Sequence, residues 1–230
     1  MKTIGIIQAR MGSHRLPMKM LMDLNGYPLI EWIIKRVRKA KNIDEFVAAI
    51  PQTKENDELS DHLESFNVNV FRGSENDVLN RFYEASIEYS ADLIVRICGD
   101  NPLICASELD RLVEFYKANN CDYAYNHMPR NNRYPDGLGA EICSFMTLDK
   151  INNVAIKEDH REHVFNFVWE NKEDFIIKTF DPPEIIAYPH LKFDVDTQED
   201  LDKLRLKDYK ISMEAKEIIE LNIQKDKRKQ

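Results

Sequence analysis

The chain has 230 residues, 43% of them hydrophobic and 31% charged, with a formal net charge of −8. That is enough apolar material for one sizeable core, and it excludes a disordered or low-complexity chain. The acidic balance argues against a nucleic-acid surface, which calls for a basic face, and no run of about 18 apolar residues marks a membrane span.

The N-terminal segment is too short in apolar residues for a signal-peptide core, so a soluble cytoplasmic protein is expected. Cys98, Cys105, Cys121 and Cys143 show no C-x-x-C spacing and read as reduced thiols rather than a zinc or redox site.

In chain order, the apolar run Ile4 to Ile7 predicts a buried strand. The loop that follows, Gln8 to Lys19, holds Gly12, Ser13 and the fixed charges Arg10, Arg15 and Lys19. Gly12 lets the backbone approach a ligand and the basic residues supply countercharge, so the loop suits an anion such as a nucleoside triphosphate. Charge alone does not separate this from a solvated basic loop.

Pro28 then opens a helix carrying Leu29, Ile30, Ile33, Ile34 and Val37. Strands are expected at 46–50, 68–71 and 92–98, the last apolar except for Arg96, and helices at 55–66, 75–89 and 108–118. Strand alternating with helix means a mostly parallel sheet covered on both faces, an α/β fold of three layers. Ligands bind such sheets beyond the carboxyl ends of the strands, which places the loops after Ile7, Phe71 and Cys98 on one rim.

From Cys121 the rhythm changes. A polar link of residues 126–139, with Pro129, Pro135 and Gly137, is long enough to be functional. Helices at 144–153 and 159–171 and a strand at 175–180 follow, ended by Pro182 and Pro183. The chain reads as one domain, 1–230, with residues about 126–190 as an arm or insertion. An amphipathic helix with a Lys-rich tip is expected at 212–229.

Asp100, directly after a strand, is placed to hold Mg²⁺ or merely to start a turn. In Asp194-Val195-Asp196, period-two geometry sets both carboxylates on one face of a strand, where they complete a metal site with Asp100. Alternatively Asp196 or Thr197 caps the next helix, with Glu199 or Asp200 closing a capping box. His160 and His163 lie three apart on an expected helix, but no third ligand accompanies them, and a surface or subunit contact fits better. His14, His62, His127 and His190 form no pattern.

The string Ile7-Gln8-Ala9-Arg10-Met11-Gly12-Ser13 with Leu16-Pro17 and Lys19 resembles the opening motif of the cytidylyltransferases that make CMP-activated acidic sugars, such as the CMP-Kdo and CMP-sialic acid synthetases. Phe71-Arg72-Gly73-Ser74-Glu75-Asn76-Asp77-Val78-Leu79-Asn80-Arg81 and Val95-Arg96-Ile97-Cys98-Gly99-Asp100-Asn101-Pro102 look like their spore-coat polysaccharide branch. Pro135-Asp136-Gly137-Leu138 and Arg161-Glu162-His163-Val164 are similar to that branch too. Met18 and Met20 depart from the small or aliphatic residues usual beside Lys19.

The resemblance implies a sheet of the nucleotide-diphospho-sugar transferase type and a homodimer made through the arm. It implies Mg²⁺-dependent transfer of CMP from CTP to an acidic sugar, with release of pyrophosphate. By motif position, Lys19, Arg10 and Asp100 would be catalytic. Gln8, Ala9, Arg10, Gly12, Ser13, Arg15, Lys19, Arg72, Gly73 and Ser74 would bind the nucleotide. Tyr134, Asp136, Gly137, Glu141, Arg161 and His163 would meet the acceptor, and Asp100, Asp194 and Asp196 the metal. Competing readings are a glycosyltransferase using Asp194-Val195-Asp196 as a D-x-D metal motif, a guanylyltransferase acting on a sugar phosphate, and a scaffold without catalysis.

Overall fold

Ile4 and Ile6 point into one apolar layer and Ile7 into another, so the first strand is buried on both faces. That is the mark of a central strand in a parallel sheet. A computed structural model, which describes residues 1–223, shows this strand as β1 (Thr3–Gln8). The elements after it are β2 (Asp23–Leu24), β3 (Tyr27–Pro28), α1 (Leu29–Val37), β4 (Glu45–Pro51), α2 (Asp57–Ser65), β5 (Asn69–Gly73), α3 (Val78–Glu88), β6 (Leu93–Cys98) and α4 (Ala106–Ala118). The second half adds β7 (Tyr123–Tyr125), β8 (Glu141–Ser144), α5 (Phe145–Val154), α6 (Glu158–Glu162), α7 (Asn166–Glu170), β9 (Ile177–Thr179), α8 (Gln198–Arg205) and α9 (Ala215–Ile223).

Seven strands form one sheet in the order β5-β4-β1-β6-β8-β7-β9. The first four are mutually parallel, β8 runs antiparallel to both β6 and β7, and β9 is parallel to β7. One face is covered by α1, α2 and α4 through residues such as Ile33, Leu59 and Leu112. The other is covered by α3, α5 and α7 through Phe82, Leu148 and Val168. A third cluster, built on Trp32, Phe193, Val195 and Ile218, packs α8 and α9 beside the sheet. The segment expected as an arm, residues 126–190, thus supplies two strands of the sheet itself.

Two stretches differ from expectation, and a third is described only in part. The helix expected over 159–171 is broken into α6 and α7, because Val164 and Phe165 turn inward to be buried and His163 takes an extended backbone. His160 and His163 therefore do not share a helical face. The stretch Lys192 to Asp196 alternates as expected, with Phe193 and Val195 buried, but it joins no sheet. It is threaded between two loops instead: Val195 N–H donates to Asp100 O (2.8 Å) and Phe193 N–H to Asp136 O (3.1 Å). The last helix is Ala215–Ile223 where described, and the Lys-rich tip lies outside the described residues.

α8 begins with the capping box anticipated around Thr197. The Thr197 side chain accepts from Asp200 N–H, and the Asp200 carboxylate accepts from Thr197 N–H. This cap leaves Asp196 free to face elsewhere.

Candidate active site

The β1 and β6 strand ends lie side by side, with Gly99 N–H donating to Gln8 O (2.9 Å). A side chain at Gly99 would meet that same oxygen at 2.3 Å, so only glycine permits this approach. The loops leaving the two strands are thereby held against each other.

The basic loop after β1 is closed at its base by Met11. Its carbonyl accepts from Ser13 N–H and Met18 N–H, both at 2.9 Å, and its own N–H is taken by the buried side chain of Asn56 (2.9 Å). Met18 adopts a left-handed backbone (φ 59°) and starts a single 3-10 turn, Lys19–Leu21, that swings Lys19 inward. The Lys19 ammonium donates to Val195 O (2.9 Å), lies 3.8 Å from Asp100 Oδ2 and is only 9% exposed.

Between this loop and the 192–196 segment is a cavity of about 260 Å³. Gln8, Ala9, Arg10, Ser13, Arg15 and Lys19 line one side, with His14 and Met20, and Asp100, Asp196, Arg96, Cys98, Gly99 and His163 complete it. Arg15 crosses its mouth to bond Asp196 at 2.8 Å. Lys192 sits 3.1 Å from Asp194 and 3.9 Å from Asp196.

The far rim is crowded with acid. Burial, then Asp194, pushes the Asp136 carboxyl up to about 6, and burial raises that of Asp194 as well. Asp194 Oδ1 is buried with no hydrogen-bond partner. Among the described residues no three His, Cys, Asp or Glu side chains gather closely enough to enclose an ion by themselves.

Other residues singled out from the sequence lie outside this cavity. Arg72 donates to Thr53 O (2.9 Å) and Asp57 (2.6 Å), Gly73 rests on the stem of buried Arg81, and the Ser74 hydroxyl accepts from Asp77 N–H. Gly12 is in the loop itself, beside the Glu55 carboxylate. Tyr134 is fully buried, its hydroxyl donating to Glu108 at 2.7 Å. Arg161 grips Asp77 with two nitrogens and also bonds Asn152, tying α6 to α3 and α5. Gly137 (φ 90°) lies against the Asp194 backbone, where a Cβ would meet the Asp194 nitrogen at 2.9 Å, so the Asp136-Gly137 loop is fastened to the acidic segment.

Arg96, the one charge in the otherwise apolar strand β6, anchors a buried network that none of the motifs marks. Its Nε donates to Gln8 (2.9 Å) and its Nη1 to the buried carboxylate of Glu141, which also accepts from the Tyr123 hydroxyl. Burial works against the Glu141 charge, but Arg96, His127 and Tyr123 outweigh it and leave its carboxyl below the usual range. Arg96 and His163 also line a second cavity of about 150 Å³.

A family model described as cytidylyltransferase matches residues 4–218. The chain belongs to the cytidylyltransferase family. An uncharacterized protein of Methanocaldococcus jannaschii is 38% identical over 96% of this chain and 86% of its own. The spore coat polysaccharide biosynthesis protein SpsF of Bacillus subtilis is 30% identical over 87% of this chain and 83% of its own. Among solved structures, a cytidylyltransferase from Leptospira borgpetersenii superposes with a TM-score of 0.89 at 29% identity, covering 99% and 96% of the two chains. A CMP:2-keto-3-deoxy-manno-octonic acid synthetase complexed with CTP shares the fold, with a TM-score of 0.68 at 18% identity over 90% and 98%. The open α/β sheet of this cytidylyltransferase is therefore the nucleotidyltransferase one, and its cavity lies at the carboxyl ends of the central strands.

Proposed function

We propose that this cytidylyltransferase transfers CMP from CTP to a hydroxyl of an anionic sugar, releasing pyrophosphate, in the synthesis of a polysaccharide precursor. The observation that carries the reading is the cavity itself: Arg10, Arg15 and Lys19 gather with Asp100 and Asp196 around one space at the ends of β1 and β6. Basic groups opposite hard carboxylates suit a triphosphate that arrives with a divalent cation.

The donor set fits Mg²⁺. All the candidate ligands are oxygens, Asp194 Oδ1 is buried without a partner, and burial, joined at Asp136 by neighbouring carboxylates, raises the carboxyls of Asp136 and Asp194. Mg²⁺ takes one or two carboxylates and completes its shell with phosphates and water, so a cage of three protein ligands is not required. Asp100 and Asp196 line the cavity and would hold it, with Asp194 behind them; bound there it would neutralise phosphate charge.

The chain's own groups then divide the work. Loop N–H groups and Arg15 hold the outer phosphates. Lys19, fixed by Val195 O and Asp100, meets the charge that develops as the acceptor hydroxyl gives its proton to solvent, its oxygen bonds to the α-phosphorus and pyrophosphate departs with the bridging electron pair. The D-x-D reading is less well supported, because Asp194 does not line the cavity. The reading includes a homodimer, for which Met146 and Val154 of α5 and nearby Ile156 offer exposed apolar surface.

Pyrophosphate release measured with each of the four nucleoside triphosphates and a panel of anionic sugars tests the function. Release with CTP in preference to the others is expected. No release with any acceptor, from protein that binds CTP, would sink it.

A further inference from the structure

A cavity of about 580 Å³, larger than the two already described and sharing no residue with them, lies between α1 and the link that joins α8 to α9. That volume is within the range of about 300 to 1,000 Å³ common to small-molecule sites. Lys35, Lys39 and Lys210 line it together with Tyr27, Trp32 and Tyr209, and no acid among the described residues does. On a chain of net charge −8, three lysines around one space are a local reversal of sign.

The walls are held without help from a ligand. Asn25 and Gly26 both have positive φ (49° and 92°), as a tight two-residue turn between β2 and β3 requires, and this sets Tyr27 at the rim. Trp32 Nε1 donates to Leu24 O (2.6 Å) and Asn25 Nδ2 to Lys207 O (2.8 Å), which fixes the hairpin to α1 and to the link. On the other side buried Arg36 donates to Ile211 O (3.1 Å) and Met213 O (2.9 Å), and Lys39 donates to Ile211 O (3.0 Å). The groove is preformed, so a ligand orders little on entering. Its cations are incompletely answered. Lys35 pairs with Glu31 (2.9 Å) and lies 3.7 Å from the centre of the Tyr27 ring. Lys210 pairs with Asp208 in an exposed contact that contributes little. Lys39 has no carboxylate partner among the described residues.

The kind of cation selects the anion. A planar carboxylate suits the fork of an arginine, and none lines this space, whereas ammonium groups on long stems gather as point charges about the oxygens of a phosphate. Tyr27, 41% exposed, adds a ring against which a flat body can rest. We propose that this groove is a second ligand site, which binds a nucleoside diphosphate with its phosphates among Lys35, Lys39 and Lys210 and its ring system against Tyr27. The site stands apart from the catalytic cavity and does not rest on the nucleotidyl-transfer reading.

The test is calorimetry of ADP, GDP, inorganic phosphate and adenosine against protein already saturated with CTP and Mg²⁺. A nucleoside diphosphate should bind once per chain with CTP still in place, inorganic phosphate more weakly and adenosine not measurably. Lys39→Gln combined with Lys210→Gln should weaken the diphosphate about tenfold or more, as loss of charge-assisted contacts does, and leave the affinity for CTP unchanged. Both side chains are exposed, so the variant should keep its melting temperature. Tyr27→Ala should weaken the diphosphate and leave inorganic phosphate as it was. Displacement of CTP one for one would make the catalytic cavity the sole phosphate site and overturn the proposal. So would failure of both diphosphates to bind, or an unchanged affinity in the double lysine variant. If CTP itself does not bind, the transfer reading falls alone, and titration of the same variants with ADP and GDP still decides for the groove.

Discussion

Lys19 reaches its position because Met18 tolerates a left-handed backbone and because two acceptors, Val195 O and Asp100, wait for the ammonium. The substitution removes only these two contacts, so Lys19→Ala should lower kcat by about a hundredfold or more, as removal of a charge-stabilising donor does, and shift Tm by only a few degrees. Steady-state kinetics beside a melting curve decides; equal losses in both would make Lys19 a structural residue. Asp136 presents the opposite case, a carboxyl that the fold strains. Its folded pKa of about 6 lies above the ordinary 3.8, so the fold favours the protonated acid. Below about 4 the group is protonated in both states and contributes nothing; as pH rises through 3.8 to 6 the unfolded chain ionises first and stability is lost. Asp136→Asn, in chelator, should therefore raise Tm by a few degrees at pH 7.5 and leave it unchanged at pH 3.5.

Among the elements, those with strong periodicity were legible. β1, β4, β6 and α1 through α4 were all anticipated, because an apolar period of two or 3.6 is written in adjacent residues. The rest depended on distant partners. The break between α6 and α7 follows from a core that draws in Val164 and Phe165, and the 192–196 segment is held by Asp100 and Asp136, far away in sequence. For the same reason Arg10, Lys19 and Asp100 could be placed on one rim from sequence, whereas Arg161 could not be told from an acceptor ligand. Its contacts with Asp77 and Asn152 make it a brace between α6, α3 and α5, and Asp77 also caps α3. Arg161→Met should cost about 2 kcal/mol of stability, the loss of charge-assisted bonds to a half-buried carboxylate, and leave the acceptor KM unaltered. A melting curve and acceptor titration separate the two roles, and a raised KM at unchanged Tm would return Arg161 to the acceptor site.

Over the whole molecule, the site joins the two ends of the chain: Lys19 and Val195 are 176 residues apart, and their hydrogen bond closes the cavity. Anything that binds there stabilises the entire fold by linkage. The charge balance decides which ligand does so. A free triphosphate approaches a chain of net charge −8 and a rim of Asp100, Asp136, Asp194 and Asp196, where Arg15, Lys19 and Lys192 are already engaged with those acids. To bind alone it must strip the acids of their cations, which gains little. Accompanied by Mg²⁺ it leaves the carboxylates a new partner as it takes Arg15 and Lys19 for its phosphates. CTP with Mg²⁺ at about 100 Kd should therefore raise Tm by roughly 5 to 10 °C, following the 2 to 3 kcal/mol of linkage such saturation provides, and CTP with a chelator by about 1 °C. Thermal unfolding with and without the ion measures this directly. Equal shifts under both conditions would remove the metal from the site and leave the acidic rim a purely electrostatic partner of the basic loop.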